Sequence, residues 1–182
     1  ALKNDRSKIH DLLKRGARLA VDKGKEHEFK KLGMDPDFEA EESIKRASVV
    51  IDCTPRGIGQ SNKLNYYEKF TDNVRGFLAQ GSEDGFGKKY ARGINDSALD
   101  TNDQFIQIVS CNTHNMACIT KTLALDNNPD NLLEGKYVCV RRANDLSQKD
   151  GFIPSPQVGT HNYENYGSHH AADAAGLFST LG

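Results

Sequence analysis

Cys111 stands between Ser110 and Asn112 in the segment FIQIVSCNTHNMACIT, residues 105–120. The apolar run before it predicts a strand and the residues after it predict a helix, so the thiol is expected where a sheet edge meets a helix N-terminus. Helix amides and the positive end of the helix dipole stabilise a thiolate. Ser110, Asn112 and Thr113 add groups that can cap the helix or donate to an oxyanion. The pattern indicates a nucleophile, while a buried spacer stays open as an alternative because free cysteine is often buried.

A second candidate site follows another predicted strand, in the segment VVIDCTPRGIG, residues 49–59. Gly57 and Gly59 would let the backbone approach a ligand closely. The segment is not a G-x-G-x-x-G dinucleotide fingerprint, and two glycines between a strand and a helix can equally form a plain turn. Cys53, directly after the strand, is expected in the core.

Basic side chains form a third group of candidates. Arg141 and Arg142 end the apolar segment KYVCVRRA, residues 136–143, which predicts a strand with the two arginines on opposite faces. One arginine could bind an oxyanion in bidentate fashion, although a solvated surface is the more ordinary place for such a pair. His169 and His170 are expected in a glycine-bearing loop, where they could serve a site or bind a metal adventitiously.

The chain around these candidates alternates between predicted helices and strands, which indicates an α/β fold with a mainly parallel sheet. The predicted helices are residues 5–15, 25–33, 37–47, 62–72 and 115–126, and the predicted strands are residues 17–21, 48–52, 74–80, 105–110 and 136–143. The β-branched run at 48–52 is typical of a strand covered on both faces. Residues 81–104 predict a long connection, and residues 149–176 are rich in Pro, Gly, His and Asn. The change in character near residue 110 suggests a domain boundary.

Composition argues against several classes of protein. Lys and Arg number 24 against 25 Asp and Glu, so no global charge attracts nucleic acid or an anionic membrane surface. No apolar run approaches the roughly 20 residues that cross a bilayer, and the opening ALKNDRSKIHDLLKR lacks the apolar centre of a signal peptide. We therefore expect a cytoplasmic protein. Four cysteines without C-x-x-C pairs and six histidines without a zinc spacing predict free thiols and no metal site.

Five segments resemble, in this order, the archaeal-type phosphorylating glyceraldehyde-3-phosphate dehydrogenases: VVIDCTPRGIG, AQGSE, VSCNTHNMA, YVCVRRAND and SHH. The pair CTPRGIG and SCNT is the most specific. The resemblance implies a partial Rossmann-type, mainly parallel sheet followed by the beginning of an α+β catalytic domain. Residues 1–110 would be a partial nicotinamide-dinucleotide-binding domain that lacks its first βαβ unit, and residues 111–182 a partial catalytic domain.

The same resemblance implies a mechanism and the residues that carry it. The thiolate of Cys111, the catalytic residue, would attack the aldehyde carbon of glyceraldehyde-3-phosphate, a hydride would pass to NAD or NADP, and inorganic phosphate would cleave the thioester. The residues implied to bind substrate are Ser110, Asn112, Thr113, His169 and His170. The residues implied to contact the cofactor are Thr54, Pro55, Gly57, Gly81 and Arg142.

Both ends of the sequence differ from the family pattern. It opens in a helical region, contains no G-x-G-x-x-G turn and stops before the downstream general-base histidine of the family. We therefore expect an internal fragment of a longer enzyme, itself inactive, and the family implies a homo-oligomer, a tetramer. Two alternatives stay open: a related thioester-forming dehydrogenase such as aspartate-semialdehyde dehydrogenase, or a noncatalytic remnant that acts as a binding or assembly module. Affinity for a dinucleotide would separate an enzyme from a remnant.

Overall fold

The chain forms two compact units. The structure, a computed structural model, describes residues 2–55, 57–81, 83–139 and 169–181. The two units comprise Ala1–Ala79 with Glu83–Phe86, and Gln80–Ser82 with Gly87–Gly182. This division differs from the domain boundary expected near residue 110, which stays a prediction.

Helices and strands alternate in the first unit, as the sequence predicts. Its helices are α1 (Leu2–Lys14), α2 (Glu26–Lys30), α3 (Ala40–Arg46) and α4 (Ile58–Asn65), and a 3₁₀ turn follows at Tyr67–Phe70. Its strands are β1 (Ala20–Val21), β2 (Phe38–Glu39), β3 (Val49–Asp52) and β4 (Gly76–Gln80), whose last residue begins the second unit. β1 pairs with β2 and β3 pairs with β4, both in parallel. The predicted helix 37–47 therefore begins later than expected, because Phe38 and Glu39 pair with β1.

Aromatic rings form the centre of the first unit. Phe77 of β4 is fully buried, and its ring stacks on that of Tyr67 with centroids 5.1 Å apart. Phe86 meets Tyr67 edge-on at 6.3 Å. Such ring pairs add to the free energy gained by burying their area. They hold the turn after α4 against β4.

The strand β3 is not covered on both faces. Val49 and Ile51 are 49% and 66% exposed, while Val50 is half-buried and Asp52 is buried. Successive side chains of a strand point to opposite faces, so this alternation means that the described residues cover one face of β3. For the described part of the chain, the prediction of a strand buried on both faces is wrong.

In the second unit, a pair of short strands precedes the helices. The described elements are β5 (Lys88–Tyr90), β6 (Phe105–Ile108), α5 (Cys111–Thr120) with a π-helical turn at Lys121–Leu125, and α6 (His169–Phe178). Further 3₁₀ turns lie at Asp96–Ala98 and Pro129–Asn131. β5 pairs in parallel with β6, with Lys89 opposite Gln107. A small apolar cluster, against which Phe178 packs, consists of Ala91, Ile94, Val109, Ala117 and Leu177.

Several elements of the second unit differ from expectation. The connection 81–104 contains β5, and the expected loop around the paired histidines is the first turn of α6. The helix predicted at 115–126 begins earlier, at Cys111. Residues 136–139 are not in a strand, and the rest of the strand predicted at 136–143 lies outside the described residues. Mixed helices and parallel strand pairs nevertheless make the chain α/β and Rossmann-like, so the predicted fold class is confirmed.

No helix in the described ranges is both long and apolar enough to cross a membrane.

Gly87 permits a close backbone approach between the start of β5 and β6. A Cβ at this position would lie 2.0 Å from the carbonyl oxygen of Phe105, a distance at which the backbone must move. We expect Gly87→Ala to lower the free energy of unfolding by about 2–3 kcal/mol, measured by urea denaturation. Gly176→Ala is the control, because its Cβ would meet nothing closer than 3.5 Å and alanine is the better helix former. Equal stability of the two variants would contradict the close approach.

Candidate active site

Cys111 is the first residue of α5, directly after the N-cap residue Ser110. Ser110 has an extended backbone, and its Oγ accepts a hydrogen bond from the amide of Thr113 at 3.3 Å. β6 ends at Ile108, so the chain passes from strand to helix within two residues. The serine cap satisfies one of the free amides of the first turn and fixes where α5 begins.

The Cys111 thiol is exposed, as are those of Cys53, Cys118 and Cys139. The alternative that Cys111 is a buried spacer is therefore wrong, and so is the expectation that Cys53 lies in the core. Cys111 Sγ lies 4.0 Å from Oδ1 of Asn112. Among these four described cysteines, only Cys111 begins a helix, so its surroundings and not its exposure distinguish it.

His170 lies against the first turn of α5. Its Nδ1 is 3.0 Å from Ser110 Oγ and 3.1 Å from Thr113 Oγ1, and the two hydroxyl oxygens are 3.0 Å apart. Its Nε2 is 3.5 Å from Nδ2 of Asn112. The ring centroids of His169 and His170 are 3.8 Å apart. The Nδ2 group of Asn112 can only donate, so Nε2 of His170 accepts in this contact, and the neutral ring carries its proton on Nδ1, facing the two hydroxyls. The structure thus brings one of the paired histidines together with the three polar residues around Cys111.

Gly81 belongs to the same unit as Cys111 and is hydrogen-bonded to β6, the strand that precedes Cys111. The Gly81 amide donates to the carbonyl of Ile108 at 2.8 Å, and its carbonyl accepts from Nε2 of the fully buried Gln107 at 3.3 Å. These bonds hold Gly81 at the end of β6.

Thr54, Pro55 and Gly57 lie in the first unit, in the exposed turn between β3 and α4. Gly57 is the N-cap residue of α4 with a φ of 84°, a left-handed conformation that favours glycine. The turn therefore exposes backbone and small side chains that a ligand could contact.

A buried carboxylate, Asp52, shapes the start of this turn. It is 4% exposed and accepts hydrogen bonds from Asn62 Nδ2 at 2.9 Å, from the Tyr67 hydroxyl at 2.7 Å, and from the Thr54 amide at 2.8 Å and hydroxyl. Burial raises the pKa of the Asp52 carboxyl, but the hydrogen bonds from Asn62, Thr54 and Tyr67 outweigh burial and hold this pKa below its ordinary value. Burial and the bond to Asp52 raise the pKa of the Tyr67 hydroxyl.

A second buried carboxylate, Glu83, fills the N-terminus of α4. It is 3% exposed, and its oxygens accept the amides of Gly57 at 2.6 Å and Gln60 at 3.0 Å. A pyrophosphate cannot take the same amides while the carboxylate holds them, so the turn fits contact with an uncharged part of a dinucleotide. The sequence interpretation missed the roles of both acids, although Asp52 ends the VVID segment and Glu83 lies in AQGSE.

Arg141 and Arg142 lie outside the described residues. Within the described ranges, no group of three or more His, Cys, Asp or Glu side chains is arranged to hold a metal ion.

The Rossmann-like α/β class to which this fold belongs is common among nicotinamide-dependent oxidoreductases. Comparison with known proteins shows which enzymes of this class the chain is similar to. The chain is 32% identical over 171 residues to the glyceraldehyde-3-phosphate dehydrogenase of Methanobacterium formicicum. It is 30% identical over 178 residues to that of Metallosphaera sedula and 26% identical over 179 residues to that of Methanococcus maripaludis strain C5.

These alignments cover most of this chain but less of its relatives. They include 86%, 92% and 91% of the chain, against 47%, 47% and 49% of the three relatives, so the chain spans about half the length of the curated relatives it matches. No family model matches the chain. The chain is related to the archaeal glyceraldehyde-3-phosphate dehydrogenases, and the resemblance carried by its five sequence segments is confirmed.

Proposed function

We propose that Cys111 is the nucleophile of a phosphorylating glyceraldehyde-3-phosphate dehydrogenase. The observation that carries the proposal is the exposed thiol at the first residue of α5, between Ser110 and Asn112, whose side chains both contact His170, in a chain related to enzymes of that name. The substrates are a phosphorylated aldehyde and inorganic phosphate, and the cofactor is NAD or NADP.

The chemistry of the thiol proceeds through a thioester. The Cys111 sulfur attacks the aldehyde carbon, a C–S bond forms, and the carbonyl oxygen takes up a proton to give a hemithioacetal. A nicotinamide cofactor, when bound, would supply the acceptor for the hydride that leaves this carbon. The hydroxyl of the hemithioacetal gives up its proton as the hydride leaves, and the carbonyl of a thioester forms. An oxygen of inorganic phosphate then attacks the thioester carbon, the C–S bond breaks, and an acyl phosphate leaves as the thiolate returns.

The groups around Cys111 bind the charged substrate. The amide of Asn112 and the hydroxyl of Ser110 can donate to the oxygen that becomes negative during attack. Thr113, which the family resemblance implied as a substrate contact, is fully buried, and its hydroxyl contacts Ser110 and His170 instead. The imidazoles of His169 and His170 offer donors to a phosphate group. A chain with a formal net charge of −1 has no general attraction for anions, so local donors of this kind must hold them.

The cofactor contacts belong to the same proposal. Thr54, Pro55 and Gly57, in the turn after β3, are the proposed cofactor contacts of the first unit, and Gly81, whose amide is bonded to the end of β6, is that of the second unit. Because Glu83 occupies the amides at the start of α4, we assign this turn to an uncharged part of the dinucleotide. Arg142, which is outside the described residues, stays a proposed cofactor contact on the family resemblance.

Acylation by acetyl phosphate tests the nucleophile without the cofactor, because it reverses the last step. The sulfur would attack the acyl carbon, release inorganic phosphate and retain an acetyl thioester. We expect peptide mass mapping to find a hydroxylamine-labile acetyl group on Cys111 and far less on the other thiols. Cys118→Ser should leave this product unchanged, and Cys111→Ala should remove it. Equal acetylation of Cys53, Cys118 and Cys139 would contradict the proposal.

A further inference from the structure

We infer that the ion pair between Lys89 and Asp173 is a positioning device that holds His170 against the first turn of α5. The inference rests on the proposed function, in which His170 serves the Cys111 site, and it adds two residues that neither the motifs nor the resemblance assigned to that site.

The pair joins α6 to β5 in a partly buried place. Lys89 Nζ lies 2.6 Å from Oδ1 of Asp173, and the two side chains are 26% and 9% exposed. Asp173 follows His170 by three residues on α6, so the two side chains lie on neighbouring turns of one helix face. Because water has limited access to this ion pair, the attraction between its charges is screened less than in a surface pair. A displacement of Asp173 along the helix axis therefore moves His170 by the same amount.

Lys89 also belongs to the strand pair that leads to the nucleophile. It stands opposite Gln107 of β6, and β6 runs into Ser110 and Cys111. The methylene stem of Lys89 lies along α6, because a Cβ on Gly176 would be 3.5 Å from its Cδ. One side chain thus connects the helix that carries His170 to the strand pair that leads to Cys111.

A second attachment holds the end of the same helix. Asn95 is fully buried, and its Nδ2 donates to the Lys89 carbonyl at 3.0 Å and to Thr180 Oγ1 at 3.2 Å. Its Oδ1 accepts the amide of Ala91 at 3.0 Å. With its end held by Asn95 and its middle held by Lys89, α6 cannot slide by one residue, about 1.5 Å, without losing the contacts of His170 with both hydroxyls.

The neighbouring residue of β5 supplies a matched control. Lys88 Nζ lies 2.5 Å from Oδ2 of Asp103 and donates to the Ala98 carbonyl at 2.8 Å, with side-chain exposures of 32% and 18% for the pair. The two pairs share their strand, their charges and their partial burial. The Lys88 pair holds the loop before β6, whereas the Lys89 pair holds α6.

The experiment compares Asp173→Asn and Lys89→Met with Asp103→Asn and Lys88→Met in the full chain. The readouts are the imidazole ¹⁵N–¹H signals of His170 and the nuclear Overhauser effect between its ring and the methyl group of Thr113. We expect both variants of the α6 pair to lose this effect and to shift the ring signals towards those of a solvated histidine. Both control variants should retain the wild-type signals, and Lys89→Arg, which keeps the charge and the reach, should restore them.

The outcomes separate this inference from the proposed function. Wild-type His170 signals in Asp173→Asn would overturn the positioning role, whether or not acetyl phosphate acylates Cys111. Loss of these signals together with slower acetylation of Cys111, and neither change in Asp103→Asn, would support both proposals. Loss of the signals in a chain whose wild-type Cys111 is not acetylated would support the positioning of His170 and overturn the proposed function. The methyl signals of Ile94 and Leu177, in the apolar cluster of the second unit, report whether each variant folds. If Lys89→Met does not fold, the nearly isosteric Asp173→Asn tests the positioning role by itself.

Discussion

Brief treatment of the folded chain with iodoacetamide near neutral pH is expected to modify Cys111 first, about two- to fivefold faster than Cys53, Cys118 or Cys139. All four thiols are exposed, so access does not set this order. Cys111 begins α5, where the helix dipole and the amides of the first turn favour negative charge by about 0.3–1 kcal/mol at an exposed position. Peptide mass mapping at successive times measures the order of modification.

A variant of the N-cap residue Ser110 separates the effect of the helix N-terminus on Cys111 from the effect of exposure. Ser110→Ala removes the side-chain acceptor for the Thr113 amide and loosens the first turn of α5, so alkylation of Cys111 should slow several-fold. Cys118 lies in the same helix, remote from its N-terminus, and should react at an unchanged rate. Modification of Cys53 or Cys139 first, with Cys111 protected, would remove the main physical support for the nucleophile.

Replacement of Asp52 by alanine is expected to lower the free energy of unfolding by about 3 kcal/mol, measured by urea denaturation. The variant removes the acceptor for Tyr67, Asn62 and Thr54 at once. The Tyr67 side chain is 7% exposed and stacks on Phe77, so its hydroxyl has little access to water as a substitute. A buried donor left without an acceptor costs about 1–3 kcal/mol.

The exposed Asp72 provides the control, since Asp72→Ala should change the free energy of unfolding by less than about 0.5 kcal/mol.

The pH dependence of the free energy of unfolding gives a further check on the role of Asp52. The pKa of Asp52 is lower in the folded than in the unfolded chain, where it is about 3.9. The contribution of ionised Asp52 to the free energy of unfolding is therefore complete above the unfolded-state pKa. This contribution is lost as the pH falls through the folded-state pKa. The stability difference between wild type and Asp52→Asn should shrink below about pH 4, and a difference that grows there would contradict the prediction.

Local sequence signals were sufficient at the candidate nucleophile. Ser110 caps α5 through the amide of Thr113, a contact within one helical turn, and the apolar residues before it form β6. Interactions of this range depend on neighbouring residue types, so they can be read from a short segment. The α/β alternation of the first unit follows from the same kind of signal.

Tertiary structure decided the partners of these local elements. Lys89 and Asp173 are 84 residues apart in the chain. The lysine-rich segment Lys88–Tyr90 pairs with β6, and carboxylates elsewhere in the chain bind both of its ammonium groups. Glu83 caps a helix that begins far before it in sequence, and no short pattern predicts that approach. The sequence by itself determined the fold class, the family resemblance and the place of Cys111 between a strand and a helix. The folded chain decided that His170 meets the first turn of α5, because that contact depends on packing between segments that the sequence places far apart.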